Sequence, residues 1–418
     1  MISRWRSRRR GTTAALLLAA RPERPGAKMP WRTRSLYYTE GLRAEGPAYD
    51  GTTNSLLFTD VAGENGLPPG RAFRADLTSG VVSTLDVGAS AGYNGLMVSP
   101  IDGSLIGCDY FGTVRRVVRL TLDVASESIT AGAVLADEYQ GRPLNGPNDL
   151  TMRSDGLIYF SDPGLFSASP ATKPQAHNVY SIAPPYGNAH LSAVYTFQGG
   201  AGPANGLALS PNESTLYVAR TLHQSIYAFT VASDGSLSNG RIIARGGVVG
   251  YSDGLAALAN GVLLVASNRG WLAAIETGTA AGGDAVRAWT LPALEGLICP
   301  TSCGAHMNVL SVPYNGTIDS RIFVTMGGGS VMVACADPAD PICNFPPPAP
   351  PPAPPPSPPL PVVPVVIISV AAVAGFVGLC ALGLLVLACR KGRASAKKRR
   401  AGSETQMASA VSAHSDQM

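Results

Sequence analysis

Five short motifs place an oxygen-bearing side chain at one register: EGPAYD with Glu45, NGLMVS with Asn94, NDLTMR with Asn148, NGLALS with Asn205 and DGLAAL with Asp253. The successive intervals are 49, 54, 57 and 48 residues. Singly, Asn-Gly and Asp-Gly are ordinary turn residues. Recurring at one register, they mark equivalent positions of a structural repeat, and equivalent positions around an axis converge. What converges is two carboxylates and three amides, with no thiol or imidazole. Such a set suits one hard divalent cation, Ca2+ ahead of Mg2+, Mn2+ or Zn2+, with Glu45 and Asp253 offsetting its charge. A glycine after Asn or Asp lets the backbone approach the axis closely.

The elements that must carry these residues are short strands. Downstream of each motif lies a β-forming run: LLFTD, LIGCD, IYFSD, LYVAR and LLVAS, with IFVTM as a sixth. The runs start 49, 53, 58, 47 and 59 residues apart, and most follow a turn such as SPIDG, RSDG or LANG. A period near fifty with no amphipathic helix between strands fits the blades of a β-propeller. An immunoglobulin-type array would need about 100 residues per module. The spacing therefore predicts an all-β, six-bladed propeller over residues 36–340, with antiparallel strands in each blade.

At EGPAYD, GPNDLTMRSDGLIYFSDPG, ANGLALSPNESTLYVA and SDGLAALANG the chain resembles the gluconolactonase, senescence marker protein and luciferin-regenerating enzyme family of six-bladed propellers. That resemblance implies a divalent metal held by Glu45, Asn205 and Asp253, with Asn148 as a further ligand or a contact to water or substrate. It also implies Asp253 as general base, so that Asp253 and Asn148 form the catalytic pair. Asn94, Asp149 and His306 complete the candidate set as substrate contacts. Two departures stand out: Arg220 of LYVAR replaces a usual acidic residue, and Gly146 stands where some lactonases carry a substrate-binding Arg. A strictosidine-synthase-like propeller fits less well, because EGP, PND, ANG and SDG are all intact.

The implied reaction is hydrolysis of a small lactone or related carboxylic ester. It needs a polarised carbonyl, an attacking water and a base. The sequence holds no P-loop and no HExxH, which excludes nucleotide chemistry by the first and zincin-type hydrolysis by the second. The same fold also suits a non-catalytic receptor or adhesion head, since fold alone does not fix function.

The ends of the chain carry a different message. Of 418 residues 45% are hydrophobic and 14% charged, with 47 Gly and 34 Pro, a composition of turns rather than helices. Setting aside the basic clusters at both ends, residues 11–389 hold 20 cationic and 26 anionic side chains. That mildly acidic balance speaks against nucleic-acid binding. Residues 1–25 read as a secretory signal segment, with an Arg-rich organellar presequence as the alternative. Residues 345–361 are a proline-rich polyproline II stalk. Residues 365–389 are uncharged and long enough for a transmembrane helix. The basic tail, residues 390–418, marks the cytoplasmic side and gives a single-pass type I protein with the propeller outside the cell or in the secretory lumen. There, Asn212 and Asn315 are glycosylation sequons. Disulfides can form among Cys299, Cys303, Cys335 and Cys343, with Cys108 as the odd thiol.

Overall fold

A computed structural model of the chain describes residues 32–39, 42–61, 70–163, 177–197, 204–268, 271–277, 285–291, 306–314, 317–327, 330–335 and 340–343. The expected signal segment, stalk, transmembrane helix and tail lie outside these residues, as do Cys299, Cys303 and Asn315. Among the described residues no helix is long and apolar enough to cross a membrane.

Six four-stranded antiparallel sheets follow one another along the chain. Blade 1 has strands Ala44–Asp50, Ser55–Asp60, Arg71–Asp76 and Val82–Leu85. Blade 2 has Tyr93–Val98, Leu105–Asp109, Arg116–Asp123 and Ser128–Ala136, and blade 3 has Leu150–Met152, Ile158–Asp162, His177–Ile182 and Leu191–Phe197. Blade 4 runs Ala204–Leu209, Thr215–Arg220, Ser225–Val231 and Leu237–Arg245; blade 5 runs Ser252–Ala257, Val262–Ser267, Trp271–Thr277 and Ala285–Leu291. Blade 6 is His306–Tyr314, Thr317–Met326 and Ser330–Cys335, completed on its outer edge by the N-terminal strand Arg32–Tyr38. Ser330–Cys335 pairs antiparallel with that strand, Arg32 opposite Cys335. Closing the ring this way gives blade 6 its fourth strand and ties the strand that precedes blade 1 into the last sheet.

The β-forming runs are the second strands of their blades. Ser55–Asp60, Leu105–Asp109, Ile158–Asp162 and Val262–Ser267 are buried at every position. A blade interior is covered on both faces, so these strands read as continuous apolar runs rather than alternating ones. Six apolar clusters result, each shared by neighbouring blades. Leu56, Phe58 and Phe73 of blade 1 meet Val312 and Phe323 of blade 6, and Ile106 and Val117 of blade 2 meet Ile158 and Phe160 of blade 3. Each fully buried Leu, Ile or Phe contributes about 1.5–3 kcal/mol relative to exposure, so the interfaces between blades hold the ring together. Cys108 is a buried free thiol within one of these clusters, and Cys335 is disulfide-bonded.

Candidate functional site

Each motif residue sits at the start of an innermost strand, at one end of the axis. In blades 1, 2, 4 and 5 the pairing with the second strand shifts register there: between Glu45 and Ala48, Tyr93 and Leu96, Ala204 and Leu207, and Ser252 and Leu255. Such a bulge releases two residues from the ladder and re-aims a side chain. The glycine of each bulge faces the next blade. A Cβ on Gly46 would lie 2.1 Å from the Asn94 carbonyl oxygen, one on Gly95 2.5 Å from that of Asn148, and one on Gly206 2.1 Å from that of Asp253. Only glycine permits this approach.

Glu45, Asn94, Asn148, Asn205 and Asp253 are all buried. Asn205 Nδ2 donates to Thr221 Oγ1 at 3.0 Å, and Asn205 also acts to lower the Asp253 carboxyl. Asp253 Oδ2 accepts from Asn268 Nδ2 at 3.0 Å. Glu45 Oε2 accepts from the Gly46 N–H at 3.1 Å and from Asn308 Nδ2 at 3.3 Å. Asp149 Oδ1 accepts from the Leu150 N–H at 2.9 Å, and the Leu207 N–H and Asn308 also act to lower its carboxyl. Asn94 and Asn148 are held through their backbones: Thr59 Oγ1 donates to the Asn94 carbonyl at 2.8 Å, and the Gly95 N–H to that of Asn148 at 2.8 Å. The His306 backbone opens the inner strand of blade 6, and its side chain is outside the described set.

Two residues of this cluster were not among the sequence motifs for a metal. Counting from the paired strands, Leu150 opposite Phe160 and Val309 opposite Val324 match Leu255 opposite Val265. Asp149 of blade 3 and Asn308 of blade 6 therefore occupy the position that glycine holds in the other four blades. Asn268 follows the second strand of blade 5, and no motif signals it.

Three carboxylates share this buried space, and they act on one another. Burial raises Glu45 well above the usual carboxylate range, and the charges of Asp253 and Asp149 raise it further. Burial also raises Asp253, against the hydrogen bonds from Asn268 and Asn205, with Asp149 adding repulsion. Asp149 is pushed up to about 6 by burial. Every hydrogen bond that these three receive from described residues comes from a neutral amide or a backbone N–H. The Asn268 Oδ1 and Ser252 Oγ atoms beside Asp253 are buried without a hydrogen-bond partner among the described residues. Among the described residues no group of three or more His, Cys, Asp or Glu side chains is set to hold a metal ion. A cation here would depend on amide oxygens as well, and the all-oxygen, net-negative donor set fits a hard one.

The two departures have structural counterparts. Asp60, Asp109 and Asp162 end the second strands of blades 1 to 3. Their carboxylates accept N–H groups of the chain entering the inner strand: Arg43 at 3.1 Å, Gly92 at 2.9 Å, and Asn145 and Gly146 at 2.9 and 2.7 Å. In blade 4 the equivalent residue is Arg220, whose guanidinium carbon lies 4.3 Å from the centre of the Phe197 ring and 5.6 Å from that of Tyr227. Gly146 has φ +148°, and a Cβ there would stand 3.1 Å from the Tyr110 ring.

With the geometry in place, comparison with known proteins is decisive on family. The model of the SMP-30/gluconolactonase/LRE-like region matches residues 43–313. The chain belongs to the SMP-30/gluconolactonase/LRE-like family. A gluconolactonase from Zymomonas mobilis is 31% identical over 238 residues, which is 52% of this chain and 61% of that relative's length. The structure of a gluconolactonase from Xanthomonas campestris matches at TM-score 0.56 and 25% identity, over 73% of this chain and 89% of that one. A calcium-binding regucalcin from Agrobacterium tumefaciens matches at TM-score 0.50 and 15% identity, over 72% of this chain and 92% of that one, a likeness of fold alone. The family assignment accounts for the six-bladed ring and for the motifs that open its inner strands.

Proposed function

We propose that this chain hydrolyses small lactones or related carboxylic esters at the axial cluster, with one divalent cation held by Glu45, Asn148, Asn205 and Asp253. The observation that carries the proposal is the set of three buried carboxylates, Glu45, Asp149 and Asp253, which among the described residues receive hydrogen bonds only from neutral groups, in a chain of this family. The gluconolactonase names of the two relatives support the substrate class. When bound, the cation supplies Lewis-acid polarisation of the acyl carbonyl and stabilises negative charge on its oxygen. Calcium suits this donor set best.

The residues of the chain then divide the remaining work. Asp253 accepts the proton of the attacking water, while Asn268 and Asn205 fix the orientation of its carboxylate. The water oxygen bonds the acyl carbon, the ring C–O bond breaks, and the proton held on Asp253 passes to the leaving alkoxide. Asn148 orients the substrate by hydrogen bonding. Asn94, Asp149 and His306 complete the substrate contacts in this reading.

The same proposal includes a membrane tether. The uncharged run over residues 365–389, with seven cations after it, supports a single-pass anchor that holds the propeller outside the cell or in the secretory lumen. The test is turnover of a lactone panel by the purified chain with and without Ca2+, Mg2+, Mn2+ and Zn2+. Metal-dependent hydrolysis is expected; absence of turnover on every lactone, with metal bound, overturns the enzyme reading in favour of a binding module.

A further inference from the structure

Blades 3 and 6 face each other across the ring, because the innermost strands contact in chain order and the sixth returns to the first. They are also the two blades that break the glycine rule, with Asp149 and Asn308. Asn308 acts on the Asp149 carboxyl from the opposite side of the ring, lowering it against its burial. Below them the axis opens into a cavity of about 670 Å3, walled by residues such as Leu96, Leu207, Leu255 and Val309, with Asp149 and Asn308 at its edge. The two residues thus put polar atoms on the wall of a chamber lined largely by apolar side chains.

The amide of Asn308 is fixed on every side. Its Oδ1 accepts the Val309 N–H at 2.8 Å, and its carbonyl accepts Thr325 Oγ1 at 3.4 Å. A Cβ on Gly254 would lie 1.9 Å from Asn308 Oδ1, so the neighbouring glycine makes the space that the amide fills. With Oδ1 held in this way, Nδ2 is the donor that faces a carboxylate, and it reaches Glu45 Oε2 at 3.3 Å. On Glu45 both bonds fall on Oε2, from Asn308 and from the Gly46 N–H. That leaves Oε1 without a hydrogen bond from the described residues.

We infer that Asn308 is a positioning residue, which holds Glu45 by its Oε2 at the propeller axis and leaves Glu45 Oε1 for the cation. This rests on the metal site proposed for Glu45. A residue that orients a ligating carboxylate controls metal affinity by about ten- to a hundredfold.

The test is Mn2+ binding by the full chain, followed by calorimetry and by electron paramagnetic resonance, in wild type, Glu45→Gln, Asn308→Leu and Asn308→Ala. Both Asn308 variants lose the donor, but leucine nearly conserves the volume. Binding weakened about tenfold or more in both is the expected result. Wild-type affinity in Asn308→Leu overturns the inference, since filling space would then be enough. A wild-type chain that binds no Mn2+ overturns the metal site itself, a different outcome. A second measurement needs no substitution. With 15N-labelled asparagine, the Asn308 side-chain amide must shift on Mg2+ addition along the binding curve, and an unmoved signal at saturation overturns the proposal.

Discussion

Asn268 Nδ2 donates to Asp253 Oδ2 at 3.0 Å, while its own Oδ1 lies buried without a partner among the described residues. The amide therefore serves the carboxylate at its own cost, since an unsatisfied buried polar atom costs about 1–3 kcal/mol. Asp253 also suffers repulsion from Asp149, and it repels Glu45. Asp253→Asn removes a charge from a crowded buried cluster and keeps the side-chain shape. Lactone turnover should fall by about a hundredfold or more, the usual worth of a general base. Without metal, the melting temperature should equal or exceed that of wild type, as scanning calorimetry will show.

Gly206 is the hinge of blade 4 against blade 5. An added Cβ would meet the Asp253 carbonyl oxygen at 2.1 Å and the Gly254 Cα at 2.7 Å, both backbone atoms with no rotamer to yield. Gly206→Ala must push apart the two strands that carry Asn205 and Asp253. Overpacking of this kind costs about 1–3 kcal/mol or more, and turnover should be lost with it. Gly247→Ala meets nothing within 4 Å and should stay within about 0.5 kcal/mol of wild type. Urea unfolding of the two variants checks the contrast.

The ring and most of its inner positions were legible because period and chemistry repeat together. Glu45, Asn94, Asn148, Asn205 and Asp253 precede their β-runs by a nearly constant distance. Asn308 was hidden by length. Gly46, Gly95, Gly206 and Gly254 precede their runs by nine or ten residues, as does Asp149, whereas Asn308 precedes IFVTM by 14. The longer first hairpin of blade 6, which pairs Tyr314 with Thr317 at its end, absorbs the extra residues. Sequence chemistry points instead to His306, two positions earlier. The strand Arg32–Tyr38 was missed for another reason: RTRSLYY has no turn signal to announce it, and its place is set by the partner strand Ser330–Cys335 alone.

Metal should stabilise the fold through the same cluster. A ligand that binds only the native state adds RT ln(1 + [L]/Kd), about 2.7 kcal/mol at a hundredfold excess over Kd. Repulsion among Glu45, Asp149 and Asp253 makes this cluster the natural place for that energy. Chelation should therefore lower the melting temperature of wild type and leave Glu45→Gln nearly unmoved. Differential scanning fluorimetry across a calcium titration reads both.

The closing blade is tied down by a buried ion pair. Arg321 Nε and Nη2 donate to the Asp340 carboxylate at 2.7 and 2.9 Å, and the Ile342 N–H donates to it at 3.1 Å. Both side chains are at most 3% exposed. Removing one partner of a buried pair is costly, so Asp340→Ala should cost about 3–5 kcal/mol. The double variant Asp340→Ala with Arg321→Leu should recover part of that loss, because the desolvated guanidinium is gone as well. Urea denaturation midpoints measure both.

Acid dependence should also follow Asp162, which is not among the proposed metal ligands. Burial pushes its folded pKa up to about 6, against the N–H groups of Asn145 and Gly146. The unfolded value is about 3.9. Between those values the folded chain keeps a proton that the unfolded chain has released, so this group's contribution is complete below about pH 4 and fades as pH rises to about 6. The contribution is at most about 3 kcal/mol, the free energy of holding one proton across that pH interval. Glu45, Asp149 and Asp253 are shifted the same way, so only a difference isolates Asp162. The Asp162→Asn chain cannot titrate there and should lose stability less steeply than wild type from about pH 4 to about pH 6.5, by up to one proton in slope. Parallel urea denaturation series across that range would show it, and identical slopes would rule out the elevated pKa.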